Sequence, residues 1–175
     1  KANTMIDVLK RRTEIENNLR NNVVVKKVDS VKIDPIQNTS NVAIKKDDEF
    51  IYNANESQYV MIAFDNIDPS FFKESKQSFA QYNNEKFKNE KIGISDYILN
   101  NQIRLLLLGP FTNSEKAFLY LDKTKPLAAS KIISFITSDK YNFYLIDTYN
   151  LNLLQTKKNL SDYIKFIRQS VPGKF

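Results

Sequence analysis

From Gln58 to Asp147 the chain switches repeatedly between two patterns of apolar and polar positions. "QYVMIAFDN" (58–66) is almost continuously apolar, rich in β-branched and aromatic residues, and reads as a strand. Asp68-Pro69 follows, an N-cap and a first helical position where proline sacrifices no needed N–H. Phe72, Ser75, Phe79 and Tyr82 then recur at helical spacing and predict a helix to about Phe87 with these side chains inward. "IGISDYIL" (92–99) and "QIRLLLL" (102–108) read as two strands joined by a tight turn at Asn100-Asn101, where Asn tolerates positive φ.

Leu105 to Leu108 show no alternation, the signature of a strand buried on both faces. Gly109-Pro110 is expected to end that strand, since Pro cannot donate to the ladder and Gly permits a sharp exit. Thr112-Asn113-Ser114-Glu115 fits a capping box with Thr112 as N-cap and Glu115 as its partner. Ala117, Phe118 and Leu121 give the ensuing helix its inner face, and "KTKPLAASKIISFI" (123–136) predicts a further helical piece broken at Pro126. "YNFYLID" (141–147) is a fourth strand, and "NLNLLQT" (150–156) and "LSDYIKFIRQSV" (160–171) are closing helices. The predicted fold class is therefore α+β over residues 58–175, a ferredoxin-like βαββαβ sheet with extra C-terminal helices.

Upstream the pattern differs. Met5, Val8, Leu9, Ile15 and Leu19 mark one face of a helix within 1–22, which needs a partner for its stripe. Residues 23–57 carry short β-branched stretches broken by Lys, Asp, Pro and Asn, and read as a linker, extended or partly disordered. "FIYNA" (50–54) is expected to pin the end of that linker to the domain.

Strand alternation sorts the domain's side chains. Val60, Ile62, Phe64, Ile103, Leu105, Leu107, Phe143 and Leu145 are expected beneath the two crossover helices. The other face then carries Tyr59, Met61, Arg104, Leu106, Asn142 and Tyr144, a semi-polar, aromatic set suited to a protein or a sugar strand. Leu160, Tyr163, Ile164 and Ile167 form a stripe that must be buried, so the closing helices are expected to fold over this second face. Left open, the face would be the contact patch.

Composition narrows the chemistry. The chain has no Cys and no His, which removes disulfides, thiol chemistry, most zinc sites and imidazole-based nucleophiles. Its glycines, Gly93, Gly109 and Gly173, form no phosphate-binding loop. Asp65, Asp68, Glu115 and Asp147 are the candidate acids; Asp68 and Glu115 already have capping roles, and Asp65 and Asp147 approach each other if their strands are neighbours. No catalytic, cofactor-binding or metal-binding residues are assigned, and an enzyme is not expected. The net charge of +6 includes a Lys86-Lys88-Lys91 cluster, but Glu85 and Glu90 interrupt it, so no nucleic-acid surface is expected. No apolar run approaches the roughly 18 residues of a membrane span. The opening inside a helical pattern, without Met, suggests a segment of a longer protein.

Two resemblances extend this reading. "LLLLGPFTNSEKAFLYLDK" (105–123) looks like the second half of a SPOR domain, a small ferredoxin-like module that binds peptidoglycan glycan strands. "IDVLKRRTEIENNL" (6–19), "YVMIAFDNIDPSFFKESKQSFAQYNNEKF" (59–87), "LLLLGPFTNSEKAFLYLDKTKPLAASKIISFI" (105–136) and "YIKFIRQSVPGKF" (163–175) resemble the C-terminal region of the SprE/PorW family. Its members are tetratricopeptide-repeat lipoproteins of type IX secretion and gliding motility in the Bacteroidota. This second resemblance implies that residues 1–22 end a helical repeat array. It also implies a periplasmic location, attachment to the outer membrane through a lipid upstream, and a non-catalytic role among other protein subunits of the machinery. It carries over no functional residues. Peptidoglycan binding and a structural cap on the repeat array stand as alternatives.

Overall fold

The computed structural model describes residues 49–175. The helix read at 1–22 and the linker positions up to 48 lie outside the described residues. Strand β1 (Gln58–Asp65) leads into helix α1 (Pro69–Lys86), then strands β2 (Gly93–Ile98) and β3 (Ile103–Phe111). Helix α2 (Ser114–Leu127) runs into a π turn (Ala128–Ile132), and a 3-10 turn (Ser138–Lys140) precedes β4 (Tyr141–Asp147). Helices α3 (Thr148–Lys157) and α4 (Leu160–Ser170) follow. The sheet order is β2-β3-β1-β4 and every pair is antiparallel. Each crossover helix joins two strands with a third lying between them, so the fold is α+β with a ferredoxin-like sheet.

Local chemistry sets the boundaries. Asp68 caps α1, its Oδ1 accepting from Ser70 N at 2.7 Å, with Pro69 in the first turn. Phe72, Ser75, Phe79 and Asn83 are the buried positions of α1, and Tyr82 packs half-buried beside them. The hairpin turns differently from the expected positive-φ pair. Asn100 Oδ1 accepts from Gln102 N and Ile103 N at 2.9 and 2.8 Å, so its side chain stands in for a backbone acceptor. Among the described residues the non-glycine positive φ angles belong to Asn66 and Lys158.

Gly109-Pro110 does not end β3. The strand continues to Phe111 through a bulge, because Val60 faces Leu108 while Gln58 faces Phe111. Gly109 has φ 138°, and a Cβ there would meet Gln58 O and Phe111 N, both at 3.2 Å. This extension moves the helix start along. The N-cap is Asn113, accepting from Lys116 N at 3.0 Å, and Thr112 is exposed instead of capping. Pro126 lies inside α2, and the change of helix type falls after it, at the π turn.

The sheet has two cores. On the first face Val60, Ile62, Phe64, Leu106, Leu108, Phe143 and Leu145 lie beneath Phe72, Phe79, Ala117, Tyr120 and Leu121 of α1 and α2. On the second face Met61, Ala63, Leu105, Leu107, Tyr144 and Ile146 are covered by Leu154 of α3 and Tyr163 and Ile167 of α4. The closing helices do fold over the second face. Residues 49–57, placed in the linker by the sequence pattern, belong to the folded unit: Phe50 and Tyr52 pack into the second core, as the "FIYNA" reading expects.

Candidate functional site

The structure does not bring the six predicted contact residues together. Tyr59 and Met61 sit on the second face opposite Ile146 and Tyr144, and Asn142 sits there opposite Ala63. Arg104 and Leu106 face the other way, opposite Phe64 and Ile62 on the side of the crossover helices. The error has a physical source: four successive leucines satisfy either face, so the pattern within β3 leaves its register against β1 open. Leu106 is fully buried in the first core, and the Arg104 guanidinium lies 5.7 Å from the centre of the Phe72 ring.

The four residues left on the second face are mostly enclosed. Met61 and Tyr144 are buried, Tyr59 is half-buried and Asn142 is exposed. Burial pushes the Tyr144 hydroxyl above its ordinary pKa, with Arg168 opposing the shift. An opening of about 210 Å³ remains between the sheet and α4, lined by residues including Asn142, Tyr144, Leu160 and Ile164. It is what survives of the expected contact face.

The candidate acids are also separated. β1 and β4 are neighbours, but antiparallel, so Asp147 stands opposite Gln58 while Asp65 is at the other end of β1. Seven residues of strand put about 23 Å between them. Asp147 caps α3 instead: its Oδ1 accepts from Asn150 N and its Oδ2 from Asn150 Nδ2, both at 2.7 Å. Burial raises the pKa of Asp147 despite these hydrogen bonds, and nearby Glu56 adds to the rise. Among the described residues no group of three or more acidic side chains gathers as a metal site. No helix among them is long and apolar enough to cross a membrane.

Asn150 is the residue that pattern reading missed. Its Oδ1 accepts from Ile51 N at 3.0 Å and its Nδ2 donates to Ile51 O at 2.7 Å, so one amide side chain pairs with both backbone groups of Ile51. Asp147, which holds Asn150, thereby latches the strap of residues 49–57 to the domain. Ser114 N adds a bond to Ala54 O at 2.9 Å, and Phe50 stacks edge-on against Tyr163 at 5.0 Å. Beside the latch lies an open cleft of about 510 Å³ lined by residues including Ile51, Glu56, Asp147 and Tyr149. The Asp147–Asn150 spacing at a predicted helix start was the available signal for the cap; nothing local pointed to Ile51.

The sheet's two edges are unlike. Phe175 touches Tyr144 of the second face at 5.7 Å and Phe118 of α2 at 6.0 Å, so it passes round the β4 edge. Lys174 reaches Asp122 of α2 at 3.4 Å and reinforces that wrap. At the other edge β2 pairs only with β3, and Ile98 is 57% exposed. Phe71 and Phe135 form a second exposed apolar spot, their rings 6.0 Å apart. Comparison of the chain with family models, curated proteins and solved structures finds no match.

Proposed function

We propose that this chain supplies a non-catalytic protein-interaction domain to a type IX secretion and gliding-motility assembly. In this reading it lies in the periplasm, held at the outer membrane by a lipid upstream, and its partners are other protein subunits. The resemblance of residues 6–19, 59–87, 105–136 and 163–175 to the SprE/PorW family supports the setting. The observation that carries the interaction role is the open β2 edge, beside which the sheet's most exposed large apolar side chain, Ile98, projects. Two of the four acids considered for catalysis, Asp68 and Asp147, are engaged as helix caps. Glycan binding on the second face requires an open platform, and α3, α4 and the strap occupy that face.

Deleting residues 49–175 from the parent protein tests the proposal. Affinity purification of the deleted form is expected to lose at least one secretion partner. Recovery of every partner at wild-type yield would overturn the role.

A further inference from the structure

We infer that the outer edge of β2 is a strand-addition site, which takes an extended segment of a partner protein carrying Lys or Arg opposite Asp96. The inference rests on the protein-interaction reading and deepens it by naming the surface and the chemistry recognised.

The backbone geometry selects the class of occupant. Leu99 N donates to Ile103 O at 3.0 Å, and the same register pairs Tyr97 with Leu105, Ser95 with Leu107 and Gly93 with Gly109. The N–H and C=O groups of those β2 residues therefore point at β3, and those of Ile94, Asp96 and Ile98 point outward. No hydrogen bond to these outward groups comes from the described residues. A row of alternating donors and acceptors at strand spacing is matched by one kind of ligand, another extended backbone. At the opposite edge Phe175 and Lys174 pass across from Tyr144 to Phe118 and Asp122 of α2, where an added strand would meet them.

The side chains then choose among strands. Residues directly opposite each other in a sheet share a face, so an added strand places alternate residues beside Ile94, Asp96 and Ile98. Ile94 and Ile98 ask for apolar neighbours. Asp96 gives one oxygen, Oδ1, to Lys76 of α1, while Oδ2 has no hydrogen-bond partner among the described residues. A cation opposite Asp96 completes that carboxylate. A second copy of this chain is a poor occupant. Antiparallel self-pairing that sets Ile94 against Ile98 also sets Asp96 against Asp96, and shifting by a pair sets Asp96 against an isoleucine. Like charges directly opposite destabilise a strand pair.

The test uses the full chain, labelled with nitrogen-15, and a synthetic probe, acetyl-Thr-Val-Thr-Lys-Thr-Val-Thr-amide. Saturable chemical-shift changes centred on the amides of Ile94, Asp96 and Ile98 are expected. A probe N-methylated on its edge-pairing amides is expected not to bind. Asp96→Lys should weaken the Lys probe about tenfold and favour a Glu-for-Lys probe, since attraction becomes repulsion. Absence of saturable change at these amides, or equal binding of the N-methylated probe, overturns the inference. In the parent protein Ile94→Pro removes one outward N–H and leaves the β2–β3 ladder intact. Partner recovery that survives Ile94→Pro and Asp96→Lys but fails on deleting 49–175 sinks the edge site alone. Recovery that survives all three sinks the interaction reading as well. If Ile94→Pro unfolds in a thermal melt, Asp96→Lys decides.

Discussion

The two faces of this sheet are covered by different means. On the first, each helix lies between the strands it connects in sequence, and aromatic rings make the contact: Phe64 with Phe72 at 5.5 Å, Phe79 with Phe143 at 6.4 Å, Phe111 with Tyr120 at 5.0 Å. On the second, the cover comes from both sides of the sheet in chain order, the strap before β1 and α3 with α4 after β4. Polar bonds fix those pieces, Asn150 to Ile51 and the Tyr163 hydroxyl to Leu145 O. The first layer follows from βαβ connection, while the second depends on distant segments returning and being fastened.

The largest effects test whether both layers are equally part of the core. Phe79 is fully buried in the first, and Phe79→Ala is expected to cost about 3–5 kcal/mol in urea denaturation. Leu154, also fully buried, belongs to the second, and Leu154→Ala should cost about 2–5 kcal/mol. Near-wild-type stability for Leu154→Ala would mean that the second face is open and that α3 does not contribute to a second core.

How far this was legible in the chain follows the same division. The order of strands and helices, the Asp68 cap and the burial of Leu105 to Leu108 all come from local signals that agree with one another. The two faces expected for β1 and β4 match the two cores, Val60, Ile62, Phe64, Phe143 and Leu145 on one and Met61, Ala63, Tyr144 and Ile146 on the other. β3 does not alternate, so its pattern leaves open which face Arg104 and Leu106 take, and the structure puts them with Phe64 and Ile62. Arg104 tolerates its position because it lies near the sheet end, where its guanidinium rests against Phe72. Asp65 and Asp147 required strand direction as well as adjacency, which comes only from the topology. The contact between Ile51 and Asn150 spans 99 residues and leaves no periodic trace in either segment.

An intermediate effect probes the fastening. Asn150→Ala removes both bonds to Ile51 and the side-chain bond to Asp147, leaving a buried carboxylate less satisfied. A loss of about 1–3 kcal/mol is expected. Amide hydrogen exchange should speed up at Ile51 and its neighbours, with little change in β1 and β3, because the strap opens as a local unit. Uniform acceleration across the sheet would show that strap and core unfold together, and the two layers would then be one cooperative body.

The smallest effect is a pH dependence confined to the second layer. Burial holds the Asp147 pKa above its ordinary value, and Glu56, facing it from the strap, pushes in the same direction. The folded state therefore binds this proton more tightly than the unfolded chain does. Stability contributed through Asp147 is present at low pH and is lost as pH rises through the raised folded value, in a window above about pH 4. Asp68 and Asp139 have lowered values, from hydrogen bonds with Ser70 and Thr137, so their stabilisation is lost as pH falls, in a window below that range. Burial raises the hydroxyl of Tyr163, packed from α4, well above ordinary values, and the Asp147 charge adds to the rise, so it stays neutral throughout. Asp147→Asn isolates the effect because it does not titrate. Subtracting its urea-denaturation stability from that of the wild type should give a difference that declines with rising pH above about 4 and then levels. A difference that rises over this window would mean that the hydrogen bonds from Asn150 outweigh desolvation. The latch would then be fastened by the charge on Asp147 instead of strained by it.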